Sequence, residues 1–123
     1  MATVLLVDDS STILTSMGQI VRGAGYKVEE ASSGEAALSK LQGGGAVDLI
    51  ITDYNMPGMN GAELIAAARK LPSFRFTPIL VLTTESKQSK RDAAKSAGAT
   101  GWLTKPVKPE NLIGALKKLI PGS

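Results

Sequence analysis

Short apolar runs alternate along the chain with longer segments in which apolar residues recur every three or four positions. Apolar runs of four to six residues are typical of strands. Runs rich in Val, Ile and Leu are typical of strands that are buried on both faces of a sheet. KVEEA is more polar than the others and predicts a strand at the edge of a sheet. The five runs are TVLLV (3–7), KVEEA (27–31), VDLIIT (47–52), ILVLT (79–83) and GWLT (101–104).

A helical pattern follows each run. Asp9 or Ser10 is suited to cap the first helix, and Ser32 with Glu35 predicts a capping box at the start of the second. Capping-box and proline signals predict starts at Asn60 with Glu63 for the third helix and at Pro109 for the last. The apolar stripes are Ile13, Leu14, Met17, Ile20 and Val21, then Leu64, Ile65, Ala68 and Leu71, then Leu112, Ile113, Leu116, Leu119 and Ile120.

The fourth helix, from about Lys87 to Ala97, has an unusually poor apolar face. Its predicted buried positions are the alanines Ala93, Ala94 and Ala97, and most of its other residues are charged or polar. Because stabilisation by burial scales with apolar area, this helix is either weakly anchored and mobile or held by a close small-residue contact.

The alternation of five strands with five helices predicts an α/β fold. Short connections between strand and helix favour βαβ units, and therefore a doubly wound parallel sheet covered by helices on both faces. The length of 123 residues fits one domain with one core, which we place at 1–123. In such folds ligands bind at the carboxyl ends of the strands, so the residues just after each strand are the candidates for function.

Charged and hydroxyl side chains stand at those strand ends: Asp8, Asp9, Asp53, Thr83 and Lys105. Three carboxylates brought close together repel one another, and a divalent cation relieves that repulsion. Carboxylate and carbonyl oxygens are the ligands that Mg²⁺ prefers, which predicts a magnesium site facing the Lys105 ammonium. The alternative for each residue alone is a structural one, a helix cap or a turn.

The turn after Asp53, NMPGMNG, presents that carboxylate at an open rim of the sheet. The first strand–helix turn, VDDSST, lacks glycine, so its backbone is not suited to bind a phosphate directly as a flavin or dinucleotide loop does. With Mg²⁺ present, Asp53 is suited to attack an activated phosphoryl group, while Thr83 and Lys105 neutralise the phosphoryl oxygens. The carbonyl of Asn55, two residues on, is placed to be a further metal ligand.

Composition excludes several classes of protein. The chain has no cysteine and no histidine, which excludes disulfides, zinc sites of the usual kind and Ser-His triads. It has no apolar run near the roughly 20 residues that span a bilayer and no signal peptide, so we expect a cytoplasmic protein without membrane insertion. It shows no recognition-helix pattern, and we expect no nucleic-acid partner.

The net charge of +3 is unevenly distributed. Up to Thr83 there are six basic and eight acidic residues, whereas from Thr84 onward there are eight basic and three acidic ones. This asymmetry indicates either an acidic partner for the C-terminal third or simply a solvated basic face.

Four blocks of the chain resemble the bacterial response-regulator receiver domains: VLLVDDS, DLIITDYNMPGMNG, ILVLTTE and GWLTKPVKPENL. The likeness covers the whole chain and is strongest to the stand-alone chemotaxis regulators of that family. It implies a flavodoxin-like sheet in the order 2-1-3-4-5, a monomer, phosphotransfer from a sensor histidine kinase and, in chemotaxis, an acidic segment of the flagellar motor switch protein as partner.

The resemblance also implies residue roles. Asp53 is the phosphoacceptor, Lys105 pairs with the phosphoryl group, and the bond before Pro106 is expected to be cis. The Mg²⁺ ligands are Asp9, Asp53 and the Asn55 carbonyl, with Asp8 in support, and Thr83 moves toward the phosphoryl oxygen on activation. Asn55 and Glu85 occupy the positions that tune hydrolysis of the aspartyl-phosphate, and Trp102 replaces the family's usual switch tyrosine.

These roles predict a two-state switch, in which phosphorylation of Asp53 biases Thr83 and Trp102 and reshapes the face of the fourth helix, fifth strand and last helix. We expect Lys90 and Lys117 on that face to contact the acidic partner. An alternative with the same chemistry is a phosphorelay intermediate that passes phosphate to a histidine phosphotransfer domain. An aspartate-nucleophile phosphatase is disfavoured because Asn55 stands where its second aspartate would be.

Overall fold

A computed structural model describes residues 2–84 and 88–120 of the chain, with the side chains of 88–91 excepted. Strands and helices alternate throughout this part, and a short 3-10 helix, Pro72–Phe74, precedes the fourth strand. The strands are β1 (Thr3–Val7), β2 (Lys27–Ala31), β3 (Leu49–Asp53), β4 (Ile79–Thr83) and β5 (Gly101–Thr104). The helices are α1 (Ser11–Gly23), α2 (Gly34–Gln42), α3 (Gly61–Arg69), α4 (Gln88–Ala97) and α5 (Pro109–Leu119).

The strands form one parallel sheet, as the alternating pattern predicted, and their order β2-β1-β3-β4-β5 is the one that the resemblance to receiver domains implied. β2 lies at an edge, in agreement with its polar composition. The residues of β3 and β4 are all buried, because helices cover both faces of the sheet. The strand order reverses between β1 and β3, so the carboxyl ends of these two strands border the crevice where such folds bind ligands.

Alternation along the strands divides the core into two layers. Ile50 and Val81 face the layer beneath α2, α3 and α4, whereas Ile51 and Leu82 face the layer beneath α1 and α5. On α5 the predicted stripe is buried most deeply at Leu112 and Leu116. Two packed layers hold the sheet rigidly and fix the positions of its strand ends.

Three local predictions were wrong. The third strand is Leu49–Asp53 and not 47–52, so Asp53 is its last residue. α2 begins one residue later than predicted: Ser33 is the cap, its hydroxyl accepts a hydrogen bond from the Ala36 N–H at 3.0 Å, and Ser32 is exposed. Ala93 is exposed as well, and Ala94 is the buried alanine of α4.

The caps of α1 and α3 follow the sequence. Ser10, one of the two candidates, caps α1 with its hydroxyl 3.3 Å from the Ile13 nitrogen. Asn60 and Glu63 form the predicted capping box on α3, with side chain to backbone distances of 2.9 and 3.0 Å. The caps set where α1 and α3 begin, and with that the length of the loops after β1 and β3.

Candidate metal and phosphoryl site

Three carboxylates converge where β1 and β3 end. Asp8 and Asp9 follow β1 directly, and Asp53 ends β3, the neighbouring strand. One oxygen from each side chain lies within 4.8 Å of the others. Asp8 and Asp53 are only 2% and 6% exposed, while Asp9 is exposed. The parallel pairing of β1 and β3 therefore brings together residues that are more than forty positions apart in the sequence.

Hydrogen bonds hold Asp8 in place. Its backbone N–H donates to the carbonyl of Ala31 at 3.2 Å, which extends the pairing of β1 with β2 by one residue. Its Oδ1 accepts the N–H of Ser10 at 2.9 Å, which shapes the turn into α1. The second carboxylate oxygen, Oδ2, faces Lys105.

Lys105 lies between the two buried carboxylates. Its Nζ is 3.1 Å from Asp8 Oδ2 and 3.1 Å from Asp53 Oδ1. The backbone N–H of Lys105 donates to the Thr83 carbonyl at 2.9 Å, and the Lys105–Pro106 bond is cis, as expected. Its side chain is 15% exposed, so the two ion pairs are largely shielded from solvent.

Burial dominates the electrostatics of Asp53. Loss of solvation raises the pKa of its carboxyl, the Lys105 ammonium opposes this, and the charges of Asp8 and Asp9 add to it. Burial by itself lowers the pKa of the Lys105 ammonium, but the hydrogen bonds and charges of Asp8 and Asp53 together outweigh it and raise that pKa. Two buried carboxylates thus share one ammonium beside a third, exposed carboxylate, and the group has an affinity for further positive charge.

Backbone contacts close the loop that follows Asp53. Tyr54 donates its N–H to Leu82 of β4 at 2.9 Å, and the Gly61 N–H donates to the Tyr54 carbonyl at 2.9 Å. A Cβ on Gly61 would lie 2.7 Å from the Asp53 carbonyl oxygen, so only glycine permits this approach. Asn55 lies within the closed loop and is exposed to solvent.

The remaining predicted residues lie along β4 and β5. Thr83 ends β4, is 2% exposed and pairs with Thr104, while Trp102 pairs with Val81 and is 40% exposed. Because side chains alternate along strands, Thr83 and Trp102 face the same layer as Val81, which is the layer beneath α4. Glu85 lies outside the described residues.

The arrangement fits a hard divalent cation. Carboxylate oxygens are the donors Mg²⁺ prefers, and the cluster combines two buried acids with an exposed one that is open to solvent. The rim of the site also borders an apolar groove of about 460 Å³ between α1 and the segment after β5. The groove is lined by side chains that include Ile13, Met17, Lys105, Pro106 and Val107.

Sequence reasoning missed two features, one remote from the site and one beside it. Arg69 donates four hydrogen bonds of 2.7–3.1 Å to the carbonyls of Phe74, Thr77 and Gly98, which tie the end of α3 to the loops before β4 and β5. Gly34 at the start of α2 contacts Met59 of the loop after Asp53. Local patterns do not predict either feature, because the bonds from Arg69 to Gly98 and the contact of Gly34 with Met59 join segments far apart in the chain.

Within the described part of the chain, no helix is long and apolar enough to cross a membrane.

Comparison with known proteins agrees with the geometry. Residues 4–117 match the family described as the response regulator receiver domain. The chemotaxis protein CheY of Pseudomonas aeruginosa is 34% identical over 94% of this chain and 94% of its own length. Among solved structures, CheY4 of Vibrio cholerae superposes with a TM-score of 0.93 at 46% identity, covering 98% of this chain and 99% of that one.

A second solved structure bears on the metal. The receiver domain of a sensor histidine kinase from Pseudomonas aeruginosa PAO1, determined with a magnesium ion coordinated in its active site cleft, superposes with a TM-score of 0.89 at 28% identity. It covers 99% of this chain, and this chain covers 98% of it. Sequence, fold and the acidic cluster agree, and the chain belongs to the response-regulator receiver domains of two-component signalling systems.

Proposed function

We propose that this receiver domain, taken as one unit over 1–123, is a phosphorylation switch whose acceptor is Asp53. The observation that carries the proposal is the convergence of Asp8, Asp9 and Asp53, of which the two buried acids, Asp8 and Asp53, share the Lys105 ammonium. A purely structural ion pair needs one carboxylate for each ammonium. Here the surplus of buried negative charge has a physical explanation if a cation binds the same oxygens.

Asp8, Asp9 and Asp53, together with the Asn55 carbonyl, are the proposed Mg²⁺ ligands. When bound, Mg²⁺ supplies positive charge beside the oxygens of the incoming phosphoryl group. A carboxylate oxygen of Asp53 attacks phosphorus, and the bond between phosphorus and the donor breaks. If the donor is a kinase phosphohistidine, the ring nitrogen keeps the bonding pair of electrons.

Lys105 changes partners in this scheme. In the structure its ammonium pairs with both Asp8 and Asp53, each at 3.1 Å. Once Asp53 carries the phosphoryl group, its own carboxylate charge is gone and the ammonium pairs with a phosphoryl oxygen instead. Thr83, buried at the end of the adjacent strand, supplies a hydroxyl donor to the same group.

The groove beside Lys105 is the proposed docking site for the kinase's phosphodonor domain. Its lining is largely apolar and comes from α1 and the Pro106–Val107 segment. A protein donor that buries this surface holds its phosphohistidine next to Asp53, and a small donor such as acetyl phosphate does not gain this contact.

The output of the switch depends on Thr83 and Trp102. Both face the layer beneath α4, and they lie on neighbouring strands. In the proposal, movement of the Thr83 hydroxyl toward the phosphoryl group makes room for the Trp102 ring, which turns inward from its present 40% exposure. Trp102 is the single tryptophan, so its fluorescence is a direct reporter of the change.

The proposed partner surface is the edge of the sheet formed by α4, β5 and α5. Exposed lysines lie there at positions 95, 108, 117 and 118. The side chain of Lys90 lies outside the described part of the chain. An acidic segment complements this surface, and the chemotaxis names of the relatives favour a flagellar motor switch protein as its source.

Phosphorylation by acetyl phosphate, followed by intact-mass spectrometry, tests the proposal. Wild-type protein should gain one phosphoryl group with Mg²⁺ and none in chelator, and Asp53→Asn should gain none under either condition. Asp48→Asn is the matched control, because Asp48 is an exposed acid before the start of the same strand. An adduct that forms without metal, or on the Asp53→Asn variant, would refute the assignment.

A further inference from the structure

The first turn of α2 is in contact with the loop that follows Asp53. A Cβ on Gly34 would lie 2.9 Å from Cγ of Met59 and 3.0 Å from its Cβ and Sδ. At the adjacent position, a Cβ on Gly58 would lie 2.8 Å from Oε2 of Glu35. Two consecutive residues of the helix therefore meet two consecutive residues of the loop.

The contact between Gly34 and Met59 involves an atom next to the backbone. The Met59 Cβ is bonded to the backbone, so a methyl group on Gly34 displaces the loop itself and not only the end of a side chain. Met59 is half-buried and packs against the core beneath α2 and α3. Gly34 is buried at the first position of α2, and its backbone is not in the left-handed region.

Local helix propensity does not explain a glycine at Gly34. Alanine is the better helix former, so a helix start without an outside contact would favour it. The glycine is explained by the close approach of Met59, which no larger residue permits.

The rest of the loop is held within its own supersecondary unit. The Gly61 N–H closes it onto Tyr54, and the Asn60 capping box fixes its junction with α3. The contact with α2 is a support from a different element, and it lies on the stretch between Asn55 and α3. Displacement at Met59 is therefore transmitted to the backbone that carries Asn55.

We propose that Gly34 and Met59 are positioning residues for the acceptor site. Their packing sets how closely the loop after Asp53 approaches α2, and thereby the position of the Asn55 carbonyl relative to Asp53. The inference rests on the proposed function, since it assumes that this carbonyl is a metal ligand. α2, which contributes no side chain to the cluster of Asp8, Asp9 and Asp53, then controls Mg²⁺ affinity through the loop.

Mg²⁺ titration by calorimetry tests the inference. We expect Gly34→Ala to weaken Mg²⁺ binding about tenfold, the lower end of the loss seen when groups that orient metal ligands are removed. Gly114→Ala in α5 is the matched control, because a Cβ there meets nothing within 4 Å, and it should bind Mg²⁺ like wild type. Circular dichroism should show that both variants keep their helices.

A second substitution separates the contact from a general effect on α2. In a Met59→Gly background, which also removes the Met59 Cβ that would lie 3.0 Å away, the methyl group of Gly34→Ala has space, so it should weaken Mg²⁺ binding less than about threefold. Equal effects of Gly34→Ala in the two backgrounds would overturn the inference.

Hydrogen exchange tests the inference on the wild-type protein alone, without any substituted variant. Because coupling between two sites is reciprocal, Mg²⁺ should slow exchange of the Ala36 and Ala37 amides in the first turn of α2. Unchanged exchange there on Mg²⁺ binding would overturn the inference even if Gly34→Ala fails to fold.

The outcomes distinguish this inference from the proposed function. Wild-type protein that fails to bind Mg²⁺, or an Asp53→Asn variant that binds it equally well, contradicts the proposed function. If wild type binds through Asp53 while Gly34→Ala binds with unchanged affinity, only the role of the α2 contact is wrong.

Discussion

Replacing Asp53 with asparagine should stabilise the metal-free protein. Asp53 is 6% exposed and shares the Lys105 ammonium with Asp8, while Asp9 stands close by. Asparagine keeps nearly the same shape and removes the charge. The difference in free energy of unfolding between the variant and wild type therefore measures how much the third carboxylate destabilises the fold.

The magnitude follows from the distances. At an effective dielectric constant of about 20, Lys105 at 3.1 Å attracts Asp53 by roughly 5 kcal/mol. Asp8, with its oxygen within 4.8 Å, repels Asp53 by roughly 3.5 kcal/mol, and the solvent-screened charge of Asp9 adds roughly 1 kcal/mol. The attraction by Lys105 and the repulsion by Asp8 and Asp9 nearly cancel. The cost of burying the charge therefore makes the ionised Asp53 destabilising overall, in agreement with its raised pKa.

We expect Asp53→Asn to raise the free energy of unfolding by about 1 kcal/mol at pH 7 without metal, a typical size for a single substitution. For a domain of 123 residues this is a rise of roughly 3–5 °C in Tm. The gain should depend on pH. Because the pKa of Asp53 is raised in the folded state, the unfolded chain loses this proton first, and wild type loses stability as pH rises from 3.8 through the folded pKa.

Thermal unfolding in chelator, at neutral pH and below pH 3.8, measures both effects. The two proteins should differ most at neutral pH and converge in acid, while the Asp48→Asn control should show no such pattern. Added Mg²⁺ should raise the Tm of wild type and leave that of Asp53→Asn nearly unchanged, because only the former keeps the full ligand set. A variant that is less stable than wild type at pH 7 in chelator would refute this reasoning.

Three further substitutions test other parts of the structure. Lys105→Met leaves Asp8 and Asp53 buried without a counter-charge, and urea unfolding in chelator should show a loss of about 3 kcal/mol that Mg²⁺ partly restores. Arg69→Met leaves three carbonyls without their donor, so urea unfolding should show a free energy of unfolding lower by about 2 kcal/mol, with Mg²⁺ affinity at the remote site unchanged. A decrease under about 0.5 kcal/mol would show that these hydrogen bonds do not stabilise the fold. Asn60→Ala removes the cap of α3 and should lower stability by about 1 kcal/mol, whereas Asn60→Ser should retain most of it.

The sequence predicted the sheet and the proximity of Asp8, Asp9 and Asp53 because both depend on simple rules. Apolar runs separated by helical patterns dictate a parallel sheet, and parallel strands bring their carboxyl ends to one edge. Asp8 and Asp53 could therefore be placed together without any knowledge of side-chain positions. The capping box at Asn60 was equally predictable, since its two hydrogen bonds join residues three apart.

The errors and omissions have a different cause. Ser32 with Glu35 matches a capping box and Ser33 matches a simple cap, so the local pattern allows both helix starts. The structure has Ser33 as the cap. Ala93 was predicted to be buried because small residues were taken as the buried face, yet only Ala94 of this pair points into the core. Lys105 was predicted to face the carboxylates, but its direct ion pairs with Asp8 and Asp53 depend on the backbone path after β5, which local pattern does not encode.

The location of the phosphoryl group is the most direct test of Asp53 as the acceptor. After incubation with acetyl phosphate and Mg²⁺, borohydride reduction converts an aspartyl-phosphate to homoserine, and tandem mass spectrometry of the peptides identifies the residue. We predict homoserine at position 53, with Mg²⁺ only, and aspartate retained at positions 8 and 9. Homoserine at position 8 or 9, or a phosphoryl group stable to borohydride on a hydroxyl side chain such as Thr83, would contradict it.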